Sequence, residues 1–578
     1  MLKYVSNFKK GFTTAFLLFM GLGLNAAEKP NFIVFYMDDL GWADTSHEMK
    51  KGVVESKSDF HETPNVERLA KLGLTFTQGY SPAPTCTPSR ISIHYGKTNA
   101  RLGYTTVHDV LANNRGLKES IPKDNKSIAQ VMNEAGYTTA HFGKGIAIAK
   151  PQEIGYQVHD AYDVGDNGNY HGDYVKIAPE KEREKLPVDN PKRIYSLTKS
   201  TVDFVNKQSK TEKPFFMMVS HYAVHVPHAA SPEVIEKYRK KKRGKHLRDE
   251  DYLDPSEMTV GQRTCTWRLQ YAAMLEEADM NLGAIMDALE ANGQADNTYI
   301  VFTSDNGGGL TPNGALTGGK ANLFEGGLRV PTIIAGPKVL KNQYCDVPVI
   351  QWDLLTTFHD LSNSSAPLPS DVDGGSLRNV FAKGNAGKVK RPNEGIVFNY
   401  PYYAAAPINA IIMGKYKLMR QLNTGEIKLF NIDEDLAEKN NLAQEKPEIA
   451  ARLAQEMDSY LTEVNAPKIE DVYEARLTEL ANWMKEAKHN YKNNLEIRSR
   501  NKSASEITQI KAQLQKKYDA DMARFSKSTE HCKMQMRNRN FIGGNYEKTS
   551  TTTKVEKPAK TKQVEKPVKT KKQKTFSI

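Results

Sequence analysis

Two seven-residue runs constrain this chain more than anything else in it: "NFIVFYM" from Asn31 to Met37 and "TYIVFTS" from Thr298 to Ser304. Each is apolar along nearly its whole length and each stops abruptly, the first at Asp38-Asp39, the second at Asp305-Asn306. A strand with one wet face alternates apolar and polar residues; a run this continuous belongs to a sheet covered on both sides. "TTAHF" (138–142) and "PFFMMVS" (214–220) read the same way. Helical patterns lie between them. Thr63-Pro64 opens a helix that ends near Gly73, "KSIAQVMNEAG" closes at Gly136, and Leu275, Ala278, Leu282, Ile285 and Leu289 form a stripe closing at Gly293. Strands alternating with helices predict an α/β fold, a large doubly wound mixed sheet flanked by helices, over residues 28–395.

Near Val397 the pattern changes. "AIIMGKYKLMRQ" and "EIKLFNI" read as two strands joined by a turn at Asn423-Thr424-Gly425, followed by the amphipathic helix "KPEIAARLAQEMDSYLTEV". This predicts a smaller C-terminal α+β subdomain over 396–468. Residues 469–540 are charged, helix-prone and poor in glycine, and read as a helical extension with no assignable chemistry. The last segment, 541–578, repeats "VEKPAKTKQ" as "VEKPVKTKK" and carries nine lysines against Glu556 and Glu565 from Lys554 onward. Such composition describes a disordered lysine-rich tail, read first as a solvated extension and second as a loose contact with anionic surfaces.

The first 27 residues pair a basic start (Lys3, Lys9, Lys10) with a short apolar core from Gly11 to Leu24 and a small-residue site at Ala26-Ala27. That is the pattern of a cleavable signal peptide, so the expected location is periplasmic or secreted. No later run is long enough to span a bilayer. Export to an oxidising compartment would allow disulfides, yet the 578 residues hold only Cys86, Cys265, Cys345 and Cys532. At most one pair among the last three can bridge. Cys86, in the polar stretch "PTCTPSRISIHYGK", is expected to be kept for chemistry.

Polar motifs fall at the carboxyl ends of the proposed strands, where open α/β sheets bind ligands. Asp38, Asp39, Asp305 and Asn306 offer three carboxylates and an amide oxygen, a set of hard ligands suited to Ca²⁺ or Mg²⁺. Taken alone, each pair is equally a turn sequence. Cations gather in the same positions: Lys144 after one strand, His225 after another, Arg90 after Cys86, and Lys320 in the glycine-rich "LTGGKANLFEGG". Singly these are ordinary loop residues. Together, opposite a hard-oxygen site, they suit a tetrahedral anion bridging metal and basic side chains.

The string Cys86-Thr87-Pro88-Ser89-Arg90 resembles the C-x-P-S-R signature of the type I sulfatases in the alkaline phosphatase superfamily. The resemblance runs from about Pro30 to Val464, with "MDDLGW", "GYTTAHFGK", "KPFFMMVSHYAVHVPH", "YAAMLEEAD", "TSDNGG" and "GGKANLFEGGLRVP" in family order. It implies that a formylglycine-generating or equivalent maturation enzyme oxidises Cys86 to Cα-formylglycine. One hydroxyl of the hydrated aldehyde then attacks sulfur, and the second lets the bound sulfate be expelled. It further implies one Ca²⁺ per chain held by Asp38, Asp39, Asp305, Asn306 and residue 86. Arg90 would stabilise the hydrated aldehyde, Lys144 and Lys320 would bind sulfate oxygens, and His225 would act as general acid.

One departure stands out. The family continues G-K-x-H; here Gly143-Lys144 is followed by Gly145-Ile146, and isoleucine transfers no proton. His141 lies at an odd offset from Lys144 along a strand and reads as a surface or packing residue. His221 and His228 are the candidates to replace the missing group. The expected activity is sulfate-ester hydrolysis on a sulfated sugar or oligosaccharide, with no sign of nucleic-acid binding. Arg101, His108, Tyr170 and His171 are candidate sugar contacts and equally ordinary loop residues. A phosphatase or phosphonate hydrolase of the same superfamily would share the metal ligands. A non-catalytic sulfated-glycan-binding protein would explain Ile146 and the basic tail.

Overall fold

The computed structural model of the chain describes residues 29–105, 125–146, 148–160, 190–226, 228–242, 244–245, 267–309, 313–401 and 407–543. The leader, residues 544–578 of the lysine-rich tail, Cys265, His108, Tyr170 and His171 lie outside them; residues 541–543, expected in the tail, end the last helix instead. In chain order the strands of the large sheet are β1 (Asn31–Met37), β2 (Gly73–Phe76), β4 (Thr138–Gly143), β5 (Val158–His159), β6 (Phe215–Ser220), β7 (Thr298–Ser304), β8 (Ile333–Ala335) and β9 (Gln343–Cys345); a short pair, β3 (Gly79–Tyr80) and β10 (Val349–Ile350), stands apart. The eight strands run in the order β5-β4-β6-β1-β7-β8-β2-β9. The first five are mutually parallel, and β8 is antiparallel to both its neighbours, so the sheet is mixed as expected.

β1 shows why the run had to be apolar throughout. Successive strand side chains point to opposite faces. Ile33, Phe35 and Met37 enter one core, with Leu275, Leu282 and Leu289 from the Trp267–Ala291 helix. Phe32, Val34 and Tyr36 enter the other, with Ile91, Ile128, Leu355 and Phe358. Phe32 stacks on Phe358 at 4.4 Å and is fully buried, so truncating it to alanine would cost about 3–5 kcal/mol.

The predicted helices are present as Pro64–Leu72, Ile128–Glu134 and Trp267–Ala291. Thr63 does not cap its helix, because its hydroxyl is taken up by Ser46. The stretch "AIIMGKYKLMRQ" is two strands rather than one: β12 (Ile408–Met413) and β13 (Tyr416–Gln421) pair antiparallel around Gly414, whose φ is 56°. With β11 (Ile396–Tyr400) and β14 (Ile427–Asn431) they form a four-stranded antiparallel sheet. One face of it packs on the Pro447–Glu463 helix; the other shares a core with Tyr80, Leu323, Leu328 and Trp352 of the large domain. Ile469–Ser499 and Ala504–Gly543 then form two long helices packed on each other around Tyr473, Leu480, Phe525 and Cys532. Cys345 and Cys532 are buried and unpaired. No helix among the described residues is long and apolar enough to cross a membrane.

Candidate active site

β4, β6, β1 and β7 are consecutive neighbours and parallel, so their carboxyl ends lie side by side at strand spacing, about 4.8 Å. Those ends carry Lys144, Ser220, Asp38-Asp39 and Asp305-Asn306. Asp39 has a left-handed backbone, φ 64°, which aspartate tolerates better than most residues and which turns the chain sharply as β1 ends. Its N–H donates to Asp305 Oδ1 at 3.1 Å, tying the two acidic loops together.

Cys86 is not in a polar loop. It is the first residue of the Cys86–Tyr95 helix, all of whose residues are buried. Ser89 closes the turn before the helix: its hydroxyl donates to Ala83 O at 2.9 Å and accepts from Ala83 N at 3.0 Å. The ligand atoms of Asp38, Cys86 and Asp305 lie within 4.8 Å of one another. Four residues along the helix, Arg90 is 2 % exposed and donates through Nε to Asp305 Oδ2 at 2.8 Å. Its Nη2 is 2.8 Å from the same oxygen and 3.7 Å from Asp38 Oδ1.

Two lysines complete the ring. Lys144 Nζ ion-pairs with Asp38 Oδ2. Lys320 Nζ lies 2.6 and 2.7 Å from the two oxygens of Asp39. Asn306 Nδ2 donates to Asp39 Oδ1 at 2.9 Å. His225 donates its Nδ1 proton to Val226 O at 2.6 Å, leaving Nε2 facing Asp39 Oδ2 at 3.7 Å. All nine residues expected at the site from the sequence are thus brought together: Asp38, Asp39, Cys86, Arg90, Lys144, His225, Asp305, Asn306 and Lys320.

The charges are crowded and dry. Burial pushes the Asp305 carboxyl up to about 7, and the Asp38 charge pushes the same way. Asp38, against its own burial, is held below the usual carboxylate range by Lys144 and Arg90. Burial also drives the Cys86 thiol up, with Asp38 and Asp305 adding to it and Lys144 opposing. A cysteine that attacks as a thiolate needs the opposite environment. Burial therefore disfavours attack by residue 86 as a thiolate.

The residues fit a hard cation. Asp38 Oδ1 and Asn306 Oδ1 are buried with no hydrogen-bond partner, the condition of oxygens that a metal would satisfy. Sulfur is a soft ligand, so the Cys86 Sγ is the one member of this set that does not match a hard cation.

Sequence reasoning missed what holds Arg90. Its Nη1 donates to Ser220 Oγ at 2.5 Å, and Ser220 Oγ donates to Lys144 O at 2.6 Å. The guanidinium lies 5.0 Å over the Tyr36 ring. The polar serine closing "PFFMMVS" was the available signal. The other histidines sort by face. His141 is buried against His94 and Tyr156, a packing residue. His221 is also a core residue, against Phe35 with Nε2 3.0 Å from Asn281 Nδ2, and does not fill the role left by Ile146. His228 packs edge-on to Tyr271, and its electrostatic neighbours are Lys192, His225 and Asp39. Ile146 is 2 % exposed within the core. The guanidinium of Arg101 forks onto Asp373 and lies over Tyr460.

A family model described as Sulfatase matches residues 30–364. A sulfatase of Formosa agariphila is 27% identical over 525 residues, covering 77% of this chain and 90% of that protein. N-acetylgalactosamine-6-sulfatase of Mus musculus is 28% identical, covering 69% of this chain and 74% of the relative. Among solved structures, Ps i-CgsB in complex with k-i-k-neocarrahexaose superposes with a TM-score of 0.61 at 27% identity, over 75% of this chain and 93% of that one. A protein solved with its substrate D-glucosamine-2-N,6-O-disulfate shares the fold, with a TM-score of 0.56 at 22% identity, over 76% of this chain and 98% of that one.

Proposed function

The chain belongs to the sulfatase family and is a sulfuric ester hydrolase, and from that footing we propose that it removes sulfate from sulfated carbohydrate, using a formylglycine made from Cys86 beside one Ca²⁺. The observation that carries this reading is the pairing of two buried oxygens without hydrogen-bond partners, Asp38 Oδ1 and Asn306 Oδ1, with a buried Cys86 at the start of its helix inside a ring of three cations. The carbohydrate substrate is inferred from relatives named for N-acetylgalactosamine-6-sulfate and from the neocarrahexaose complex. The apolar leader with its small-residue site supports export to the periplasm or medium.

Each residue has a role that follows from where it sits. Asp38, Asp39, Asp305 and Asn306 would hold Ca²⁺, which would supply Lewis-acid polarisation of a sulfate oxygen and of the residue 86 hydroxyl. Oxidised and hydrated, residue 86 would supply the nucleophilic oxygen that a buried thiol cannot. Arg90, pinned by Asp305, Ser220 and Tyr36, orients the head of residue 86 through fixed donors. Lys144, ion-paired with Asp38, and Lys320, ion-paired with Asp39, would donate to sulfate oxygens as charge builds there. His225 holds its Nδ1 proton on Val226 O, so Nε2 is the nitrogen that would carry the second proton to the leaving sugar oxygen; burial lowers the ring's pKa, and the Asp38 and Asp39 charges oppose that shift.

The test has two parts. Mass spectrometry of the peptide holding residue 86, from protein matured in its native host, should show formylglycine. A panel of sulfated mono- and oligosaccharides should release sulfate, and Cys86→Ala should release none while remaining folded. An active preparation carrying only unmodified thiol overturns the formylglycine reading. Inactivity across the panel, with the modification confirmed, favours the sulfated-glycan-binding alternative.

A further inference from the structure

The segment that carries Lys320 is fastened at both ends by the C-terminal subdomain. At its start, Thr317 Oγ1 donates to Ala437 O at 2.5 Å. At its finish, the backbone N–H of Glu325 donates to Glu438 Oε2 at 2.6 Å. Lys417 reaches in from β13 and places its ammonium 2.9 Å from Glu325 Oε1 and 2.9 Å from Glu438 Oε1. On the far side, Glu325 Oε2 accepts from Arg329 Nε at 2.5 Å and from the Tyr80 hydroxyl at 2.9 Å. Glu325, Arg329 and Lys417 are fully buried and Glu438 is 5 % exposed. Four charges drawn out of water and paired in this way gain directional geometry more than stability, since an apolar junction would avoid the desolvation.

The fastened segment is tied in turn to two loops of the site. Lys320 N donates to Gly308 O at 3.2 Å, Ala321 N to Pro84 O at 2.7 Å, and Gly307 N to Gly327 O at 3.0 Å. Pro84 is two residues from Cys86, and Gly307 follows Asn306. The packing leaves no slack: a Cβ on Gly327 would meet Asn322 O at 1.9 Å. Glu325 and Lys320 are thus joined through a closely packed turn.

We propose that Lys417 and Glu438 are positioning residues of the sulfate site, holding the 317–325 segment so that the Lys320 ammonium stands at Asp39. The C-terminal subdomain is then a working part of the active site. This rests on the reading of Lys320 as a sulfate contact, and the experiment separates the two.

The probe is inorganic sulfate, the product common to all substrates of this class, titrated by calorimetry into the full chain. Lys417→Met with Glu438→Gln removes one charge of each sign and keeps the buried cluster neutral. This pair should weaken sulfate binding about tenfold while the melting temperature moves little, and should cost less than about twofold once Lys320 is already alanine, because residues acting through one another are not additive. Equal losses in both backgrounds, or no loss in either, overturn the positioning role. A Lys320→Ala protein that binds sulfate like wild type overturns the reading of Lys320 itself. Should the paired variant fail to fold, Thr317→Val loosens the other anchor alone. It should weaken binding a few-fold, and only while Lys320 is present; a Thr317→Val protein with unchanged sulfate affinity overturns the positioning role.

Discussion

Arg90 Nε lies 2.8 Å from Asp305 Oδ2, joining the helix that begins at Cys86 to the end of a strand 215 positions away. Both side chains are buried, so each is the main compensation for the other's charge. Asp305→Asn should therefore destabilise the protein by about 1–3 kcal/mol, because Arg90 loses its nearest buried acceptor while Asp38, 3.7 Å away, still balances part of its charge. Arg90→Lys keeps the charge but loses the fork to Asp305 and Ser220, and should lower kcat/KM by about 10²–10³-fold with a smaller effect on stability. Thermal melts and steady-state kinetics on the two variants check both statements.

Calcium should raise the melting temperature independently of turnover. At a hundredfold excess over the dissociation constant, a bound ion stabilises the fold by about 2.7 kcal/mol. Chelation should lower the melting point by a few degrees and Ca²⁺ should restore it. Asp38→Asn should abolish the shift. A melting curve indifferent to chelator and to Ca²⁺ counts against the ligand set.

By resemblance to the family's G-K-x-H, a chain with Ile146 at that position would lack a proton acceptor for product release. Release of the alcohol should show a rapid first turnover of about one equivalent per site, followed by a slower steady state. Rapid-quench measurement of alcohol against sulfate detects it. His228→Ala should slow the steady state and spare the first turnover if His228 shares the missing role. Equal rates of alcohol and sulfate from the first turnover onward would show that release is not limiting.

Acid should destabilise the protein through its buried histidines. Burial lowers His94 to about 4 and His221 to about 3, and His141 lies well below its ordinary value for the same reason. Below about pH 6.5 the unfolded chain takes up protons that these folded rings refuse, so stability falls as pH drops from about 6.5 toward 4. Each such histidine contributes up to about 1.4 kcal/mol per pH unit in that window. Denaturant midpoints from pH 7 to pH 4 should show the slope, and His94→Gln should reduce it by one proton's worth. A slope unchanged by His94→Gln would mean that this ring is protonated in the folded protein.

The apolar strands and the residues at their ends were legible in the sequence because both obey local rules. A seven-residue run such as Asn31–Met37 can be buried only in a covered sheet, and parallel strands bring their carboxyl ends to one edge. That is enough to collect Asp38, Lys144, His225 and Asp305, and the Cys-Thr-Pro-Ser-Arg string adds Cys86 and Arg90 by resemblance. Other features depended on partners far away in the chain. The turn at Gly414 splits what reads as one strand, because β12 and β13 each find a neighbour in the same sheet. Cys86 begins a buried helix because Ile91 and Ile93 on that helix find cover against the large sheet. His221 and His228, one and eight residues past β6, read alike in sequence, yet only the fold puts one in the core beside Asn281 and the other beside Tyr271. The grip of Lys417 on Glu325 joins residues 92 positions apart, each an ordinary surface type until both are buried. Periodicity reports which face of an element is covered; it carries no information about what covers it, and a buried charge is defined by that partner.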